Sequence, residues 1–545
     1  MKKSLFIFAV LLTALPLAGC GPTSSSLAST SGEFSSLDTS SSEASSIFDY
    51  DIGNVSNAGS SAYYEIFVAS FRDSNSDGMG DLNGVTEKLD YLENLGVGGI
   101  WFMPIMPSPS YHKYDVTDYL AIDPAYGTMD DFDAYIEAAQ AHHIDTIIDL
   151  VINHTSSAHP WFIQAVHDYQ NGNCATDEDK CNYYNFSDVA KTGYNQLGTT
   201  GIYYESRFWS GMPDLNLDND FVRDEISNIV QFWLDKGVKG FRLDAVTSYY
   251  TGYQSRNIDF LTWLNDMVKT KKSDAYIVGE GPWDTQPANI QDYYNSGCDS
   301  FFNFTIAQAT GKMVANVNLG TGGTLASYIA TYNETLRSIN PMALDAPFLS
   351  NHDLGRSSGF FFDAAAPYKR KLAASAYLLM PGKPFIYYGE EISLRGSGND
   401  QSKRLPMIWS STDATGACDP PAGYDYNLAN QVTDGVDDLL VIPDSLLNHY
   451  RKVISIRNQY NDYIERGGVV AVDLNSSLFA LEYTREDLSK ILIVTNFSPD
   501  PVTADLPGAM AILDQIKTLG TAGTVTNNGG SYSLTVSGYS TLILQ

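Results

Sequence analysis

Basic residues are scarce in this chain: 33 Lys and Arg stand against 64 Asp and Glu, a formal net charge of −31. A surplus of that size repels phosphate backbones and anionic headgroups at long range, which argues against nucleic acid as a partner. Charge of either sign is thin, at 18% of residues, where about a quarter is usual. Aromatics reach 12% with 35 Tyr. That balance excludes a disordered chain and suits neutral, ring-shaped ligands that stack on Tyr and Trp. Cysteines number five, with no C-x-x-C pair and no His cluster at zinc spacing. Cys174 and Cys181 are spaced to close a short surface loop or to stand as two free thiols, and Cys298 reads as a small buried hydrophobe. The apolar run over residues 5–17 is too short to span a bilayer as a mature helix and, behind Lys2 and Lys3, has the form of a secretory signal.

That signal ends in Leu17-Ala18-Gly19-Cys20, which resembles the lipobox of bacterial lipoproteins. The resemblance implies that Cys20 is acylated and that the protein is extracellular, held to the cell membrane by an N-terminal lipid anchor alone. Residues 21–61 are Ser-rich and read as a flexible tether.

From residue 62, short apolar runs alternate with longer amphipathic stretches, the pattern of repeated βα units around a parallel sheet. Eight strands are expected, at 63–68, 98–103, 146–152, 240–244, 276–280, 300–304, 347–349 and 384–388, with helices such as 130–142 and 222–236 between them. The fold class is α/β: a (β/α)8 TIM barrel over 62–153 and 223–467, interrupted after strand three by an irregular inserted domain over 154–222. An amphipathic segment at 444–465 precedes a switch to alternating residues, so 468–545 is expected to form an antiparallel β-sandwich domain.

Barrel enzymes keep their chemistry at the C-terminal ends of the strands. Four runs end in polar groups: Asp149 to His154, Arg242-Leu243-Asp244, Glu280, and Asn351-His352-Asp353. Burying several charges at one barrel mouth costs several kcal/mol each if unpaired, so their company points to a working site. Arg242 lies two residues before Asp244, on the same strand face, where it would keep that acid ionised.

These four segments resemble, in order, the barrel motifs of the α-amylase family of retaining glycoside hydrolases, and Met212-Pro213-Asp214-Leu215-Asn216 resembles a fifth motif in its inserted domain, of the form intermediate between oligo-1,6-glucosidases and neopullulanases. The resemblance implies Asp244 as nucleophile, Glu280 as general acid/base and Asp353 as transition-state stabiliser. It implies sugar contacts from His112, Tyr114, His154, Arg242 and His352, the imidazoles being neutral. Asp149 and Asn153 are expected to orient the loop after strand three and the inserted domain; Trp161, Trp209 and Trp283 are either sugar platforms or packing. Ala245, directly after the nucleophile, resembles members acting on α-1,4 bonds. The implied activity is hydrolysis of internal α-1,4-glucosidic bonds in starch and maltodextrins. The alternatives are an α-glucosidase, oligo-1,6-glucosidase or cyclomaltodextrinase of the same family, or a non-catalytic maltodextrin-binding lipoprotein, which has no use for three such acids together.

Residues 73–81 place oxygen side chains at alternate positions with Gly78 sixth, an arrangement that suits a hard cation. Some family members bind calcium in such a loop, which implicates Asp73, Asn75, Asp77, Asp81 and the Met79 carbonyl, with calcium as the cofactor. Many relatives also follow the nucleophile with Lys and His three and four positions on; here Thr247 and Ser248 stand there, which puts a second calcium site in doubt.

Overall fold

The computed structural model describes residues 55–281, 287–518 and 521–545. The expected signal, Cys20, most of the tether and Trp283 lie outside them.

Eight short strands form one parallel sheet: β1 (Tyr63–Ile66), β2 (Gly99–Phe102), β3 (Asp145–Leu150), β4 (Gly240–Leu243), β5 (Tyr276–Gly279), β6 (Ser300–Phe302), β7 (Leu344–Ala346) and β8 (Phe385–Tyr387). They pair in the order β7-β6-β5-β4-β3-β2-β1-β8. Lys383 N–H donates to the Asp345 carbonyl at 2.8 Å and Phe385 N–H to that of Pro347 at 2.9 Å, which closes the barrel. β7 ends three residues earlier than its expected position, because Pro347 has no N–H to continue the ladder. The segment 350–353 is thereby free to cross the barrel mouth as a loop.

Side chains alternate along a strand, so Tyr63 and Glu65 share one face of β1, and Ile147 and Asp149 one face of β3. The lower interior layer is apolar and aromatic, with Tyr63, Trp101, Ile147, Tyr276, Val278, Phe302 and Phe385 in one buried cluster. One layer higher the inward positions are Glu65, Asp149 and Arg242, all buried. The apolar floor excludes water beneath the charged layer.

The helices around the barrel follow their sequence signals: Met129–Ala141 begins at a Thr128 capping box, and Asp220–Asp235 at the Asn219 cap. The inserted domain is more regular than expected. It carries a helix, Pro160–Asn171, and three short antiparallel strands, Phe186–Ser187, Tyr194–Gln196 and Tyr203–Glu205, packed through Phe162, Tyr184 and Tyr204. A Cys174–Cys181 disulfide closes its loop, and Cys298 is buried as expected. The end of the tether also differs. Residues 55–61 belong to the packed body, where the Asn57 amide donates to the His142 carbonyl at 2.7 Å and Ser61 to Asn461 at 2.6 Å.

After the helices Leu446–Gln459 and Asn461–Ile464 come β9 (Gly468–Ala471), β10 (Leu478–Thr484), β11 (Lys490–Asn496), β12 (Val502–Leu506), β13 (Ile512–Ile516), β14 (Gly523–Asn527), β15 (Tyr532–Val536) and β16 (Thr541–Leu544). They form two antiparallel sheets, β9-β10-β11-β16-β13 and β12-β15-β14, around a core of residues such as Leu478, Val494, Leu506, Leu534 and Leu542.

Candidate active site

Two chains of alternating charge meet at the barrel mouth. The first centres on Arg242, 1% exposed. Its Nη1 donates to Asp149 and to Asp244, each at 2.7 Å, and its Nη2 pairs with Glu280 at 3.0 Å. One guanidinium therefore serves three carboxyls on adjacent strands. Burial, with Glu280 and Asp149 adding to it, outweighs Arg242 and raises Asp244, so the expectation that Arg242 alone keeps this acid ionised is corrected: the clustered acids hold on to a proton. Asp149 is likewise raised by burial against the pull of Arg242. Ala245, at φ 49°, holds a left-handed conformation rare for a residue with a Cβ. This turn aims its N–H at Glu280 Oε2, 2.9 Å away, and ties the end of β4 to the end of β5.

The second chain runs from Glu65 to Asp400. His352 Nδ1–H donates to Glu65 at 2.6 Å, and its Nε2 lies 3.1 Å from Asp353. Burial alone would lower His352, but Asp353 and Glu65 raise it to about 9, so the ring is an imidazolium at neutral pH. The expectation of a neutral imidazole is corrected here: a ring between two carboxylates carries both protons. Asp353 is pushed up by burial, yet His352 and Arg404 prevail and hold it well below the usual carboxylate range. Arg404 Nη2 lies 3.2 Å from Asp353 and its Nη1 binds Asp400. Tyr114 joins the two chains, with its hydroxyl 2.8 Å from His352 Nε2 and 3.1 Å from Asp149.

The mouth opens into a cavity of about 390 Å³ lined by Tyr114, His154, Phe208, Met212, Asp244, Ala245, Thr247, Ser248, Glu280, Gly281 and Asp353. The three acids thus face one space. His154, lowered by burial to about 4, is neutral as expected, and its Nε2 meets the Tyr114 carbonyl at 3.2 Å. Burial also lowers His112, whose ring sits behind Tyr114 with Nδ1 accepting from the Tyr114 N–H at 3.1 Å. Asp149 does more than orient a loop, since it completes the Arg242 cluster and accepts from Trp101 at 3.2 Å. Asn153 turns toward Asp214 of the inserted domain, at 3.4 Å. Trp161 is packed against His159, Tyr119 and Tyr183; Trp209 is half exposed, next to the cavity residue Phe208.

Sequence reasoning missed Glu65 and left Arg404 without a role. An acid inside the otherwise apolar and aromatic run Tyr63-Tyr64-Glu65-Ile66 was the available signal for the first. Nothing in sequence joined Arg404 to Asp353, 51 residues away.

Residues 73–81 fold as successive side-chain-capped turns. Asp73 accepts from the N–H groups of Asn75 at 3.0 Å and Gly78 at 2.8 Å, and Asp77 from that of Met79 at 2.8 Å. Gly78 takes φ 90°, and the Asp419 carboxylate lies 2.5 Å from where a Cβ would stand. Asp81 caps the next helix through the Gly84 N–H at 2.7 Å and binds Ser74. The donors are all oxygen, with three carboxylates, which fits a hard divalent cation. Among the described residues, the acid and His side chains with ligand atoms within 4.8 Å of one another are instead Asp90, Glu93 and His142.

Known proteins share this architecture. Residues 65–467 match the family described as alpha amylase, catalytic domain. The chain is 40% identical over 451 residues to alpha-amylase 3 of Dictyoglomus thermophilum, covering 80% of this chain and 84% of that one. It is 28% identical to an oligo-1,6-glucosidase of Parageobacillus thermoglucosidasius, over 82% of this chain and 91% of the relative. Among solved structures, Eubacterium rectale Amy13B superposes with a TM-score of 0.83 at 42% identity, over 90% of this chain and 96% of the other. A barrel with three acids at its mouth and a family match across its whole length have one reading: the chain belongs to the α-amylase family and is a glycoside hydrolase.

Proposed function

We propose that the protein is a retaining α-amylase that cleaves internal α-1,4-glucosidic bonds of starch and maltodextrins. The observation that carries this reading is the pairing of Asp244 and Glu280 with the two terminal nitrogens of one guanidinium, at 2.7 and 3.0 Å. Sharing one guanidinium draws the two carboxyls together, which favours the short spacing of about 5 Å used by double displacement over the ~6.5–9.5 Å gap that admits water in inverting enzymes.

In the reactive form the proton retained among these acids sits on Glu280, and Arg242 stabilises the ionised Asp244. Asp244 attacks the anomeric carbon as Glu280 gives its proton to the glycosidic oxygen; the sugar–oxygen bond breaks and a glycosyl ester forms. Glu280 then takes a proton from water, which attacks the same carbon and releases Asp244. Asp353, ionised between His352 and Arg404, accepts sugar hydroxyls and stabilises the positive ring in both steps. Neutral His154 at the cavity wall suits hydroxyl recognition.

The α-1,4 preference is supported by Ala245 and by the relative named alpha-amylase. The segment 212–216 and the relative named oligo-1,6-glucosidase favour the second reading, an α-1,6-glucosidase. Incubation with starch, maltotriose, isomaltose and cyclodextrin, followed by sizing of products, separates the two. Asp244→Asn and Glu280→Gln should each lower turnover by on the order of 10⁴; near-normal hydrolysis by either variant refutes the assignment. We further read 73–81 as a calcium loop that stiffens the turn after β1 and takes no part in proton transfer, and Cys20 as a lipid anchor that holds the enzyme at the outer face of the membrane. Loss of palmitate labelling in Cys20→Ser tests the anchor.

A further inference from the structure

Glu65 is 1% exposed and does not line the cavity, so no sugar touches it. A carboxylate in that layer of the barrel interior is costly unless it is used. Its Oε1 accepts twice from one residue, from the His352 ring Nδ1–H at 2.6 Å and from the His352 main-chain N–H at 3.3 Å. The ring's other nitrogen faces outward to Asp353 at 3.1 Å and the Tyr114 hydroxyl at 2.8 Å. We propose that Glu65 is a positioning residue for catalysis: by accepting both N–H groups it fixes the orientation of His352 and keeps both ring nitrogens protonated, so that Nε2–H is always presented to Asp353.

The alternative charge state shows why a buried acid is needed. A neutral imidazole carries one proton. If that proton stays on Nδ1 toward Glu65, Nε2 presents a lone pair to the Asp353 carboxylate; if it moves to Nε2, Glu65 faces a lone pair at 2.6 Å. Only the cation satisfies both neighbours. The other groups facing the ring do not replace Glu65. Trp101 on β2 meets it edge-on at 5.6 Å, Tyr114 stacks on it at 5.5 Å, Asp149 on β3 is reached through the Tyr114 hydroxyl at 3.1 Å, and Arg242 on β4 lies 3.5 Å from the same hydroxyl and adds positive charge. Arg404 binds the far side of Asp353. Glu65 is thus the carboxylate behind the ring, on the side away from the substrate.

The inference rests on the role of Asp353 proposed above. The experiment compares full-length protein with Glu65→Gln, which keeps the volume and an acceptor oxygen but removes the charge, in kcat and KM for maltotriose from pH 5 to 10. Losing one adjacent opposite charge moves a titration by about 1–3 units, so the His352 ring titration, followed by 15N NMR over the same range, should shift down by at least one unit, with kcat reduced above it while KM changes little. Glu65→Asp should restore part of the shift. A His352 titration that stays in place, whether kcat is normal or uniformly reduced, overturns the inference. Inactivity of the wild-type protein on every α-glucan would instead overturn the proposed function. If Glu65→Gln does not fold, neutron diffraction of the wild type at pH 8 decides: deuterium on both His352 nitrogens supports the inference, and deuterium on one alone overturns it.

Discussion

Replacing Arg242 by Met keeps most of the buried volume but leaves Asp149, Asp244 and Glu280 without the cation that now contacts all three within 3.0 Å. Breaking a buried ion pair on one side costs about 3–5 kcal/mol. Here the acids can escape by binding a further proton, and that cost depends on pH. Holding one extra carboxyl neutral costs ~1.36 kcal/mol for each unit by which the pH exceeds its unfolded value near 4, so about 2 kcal/mol at pH 5.5 and about 5 at pH 7.5. A carboxyl whose folded pKa is raised is fully stabilising below its unfolded pKa and loses that stability as pH rises. The gap between wild type and variant should therefore widen with pH. For a chain of this length, unfolding entropy is about 1 kcal/mol per degree, so the Tm deficit should grow from roughly 2 °C at pH 5.5 to roughly 5 °C at pH 7.5 by differential scanning calorimetry. Turnover of maltotriose at pH 7 should fall at least ~10³-fold, because a protonated Asp244 is no nucleophile. A Tm gap that is flat or shrinks with rising pH would refute the shared-cation argument, whatever the activity.

Asp214 is raised by burial to about 7, so the wild type loses stability as pH climbs from about 4 through 7; Asp214→Asn should gain Tm relative to wild type between pH 5 and 8, and a pH-independent difference would count against it. Chelation with EDTA should lower the wild-type Tm by several degrees and leave Asp73→Ala, already destabilised, unmoved. An equal EDTA effect on both proteins removes the calcium loop from consideration. Breaking the Cys174–Cys181 bridge with a double Ser substitution should cost about 2–3 kcal/mol, as expected for a loop of separation 7. It should act on the inserted domain, with limited proteolysis around residues 172–182 as the readout, while cleavage elsewhere first would contradict a local role.

What the sequence disclosed and what it hid divide along a physical line. A strand buried on both faces is a short apolar run, and an acid that ends it stands out, so Asp244, Glu280 and Asp353 were legible one strand at a time. In the outer sandwich sheet the middle strand, Tyr532–Val536, was legible, but its two neighbours were not. Residues 523–527 read Gly-Thr-Val-Thr-Asn, half to fully exposed, and their pairing with β15 is decided by register across a turn rather than by any apolar contrast. Position along the chain likewise reveals which side chain is acidic but not which charges it will meet. His352 was expected to be neutral because an isolated imidazole in a sugar site usually serves as a donor and acceptor; two partners, one 287 residues away on β1, make it a cation. Asp149 was assigned to a loop for the same reason, since its binding to Arg242 spans 93 residues. In this family fold the chemistry-bearing residues can be listed from local motifs, whereas their protonation states belong to contacts across the barrel. A search for functional groups in related chains should therefore begin with inward-facing acids in the layer just beneath the barrel mouth, such as Glu65, that no motif includes and no substrate reaches.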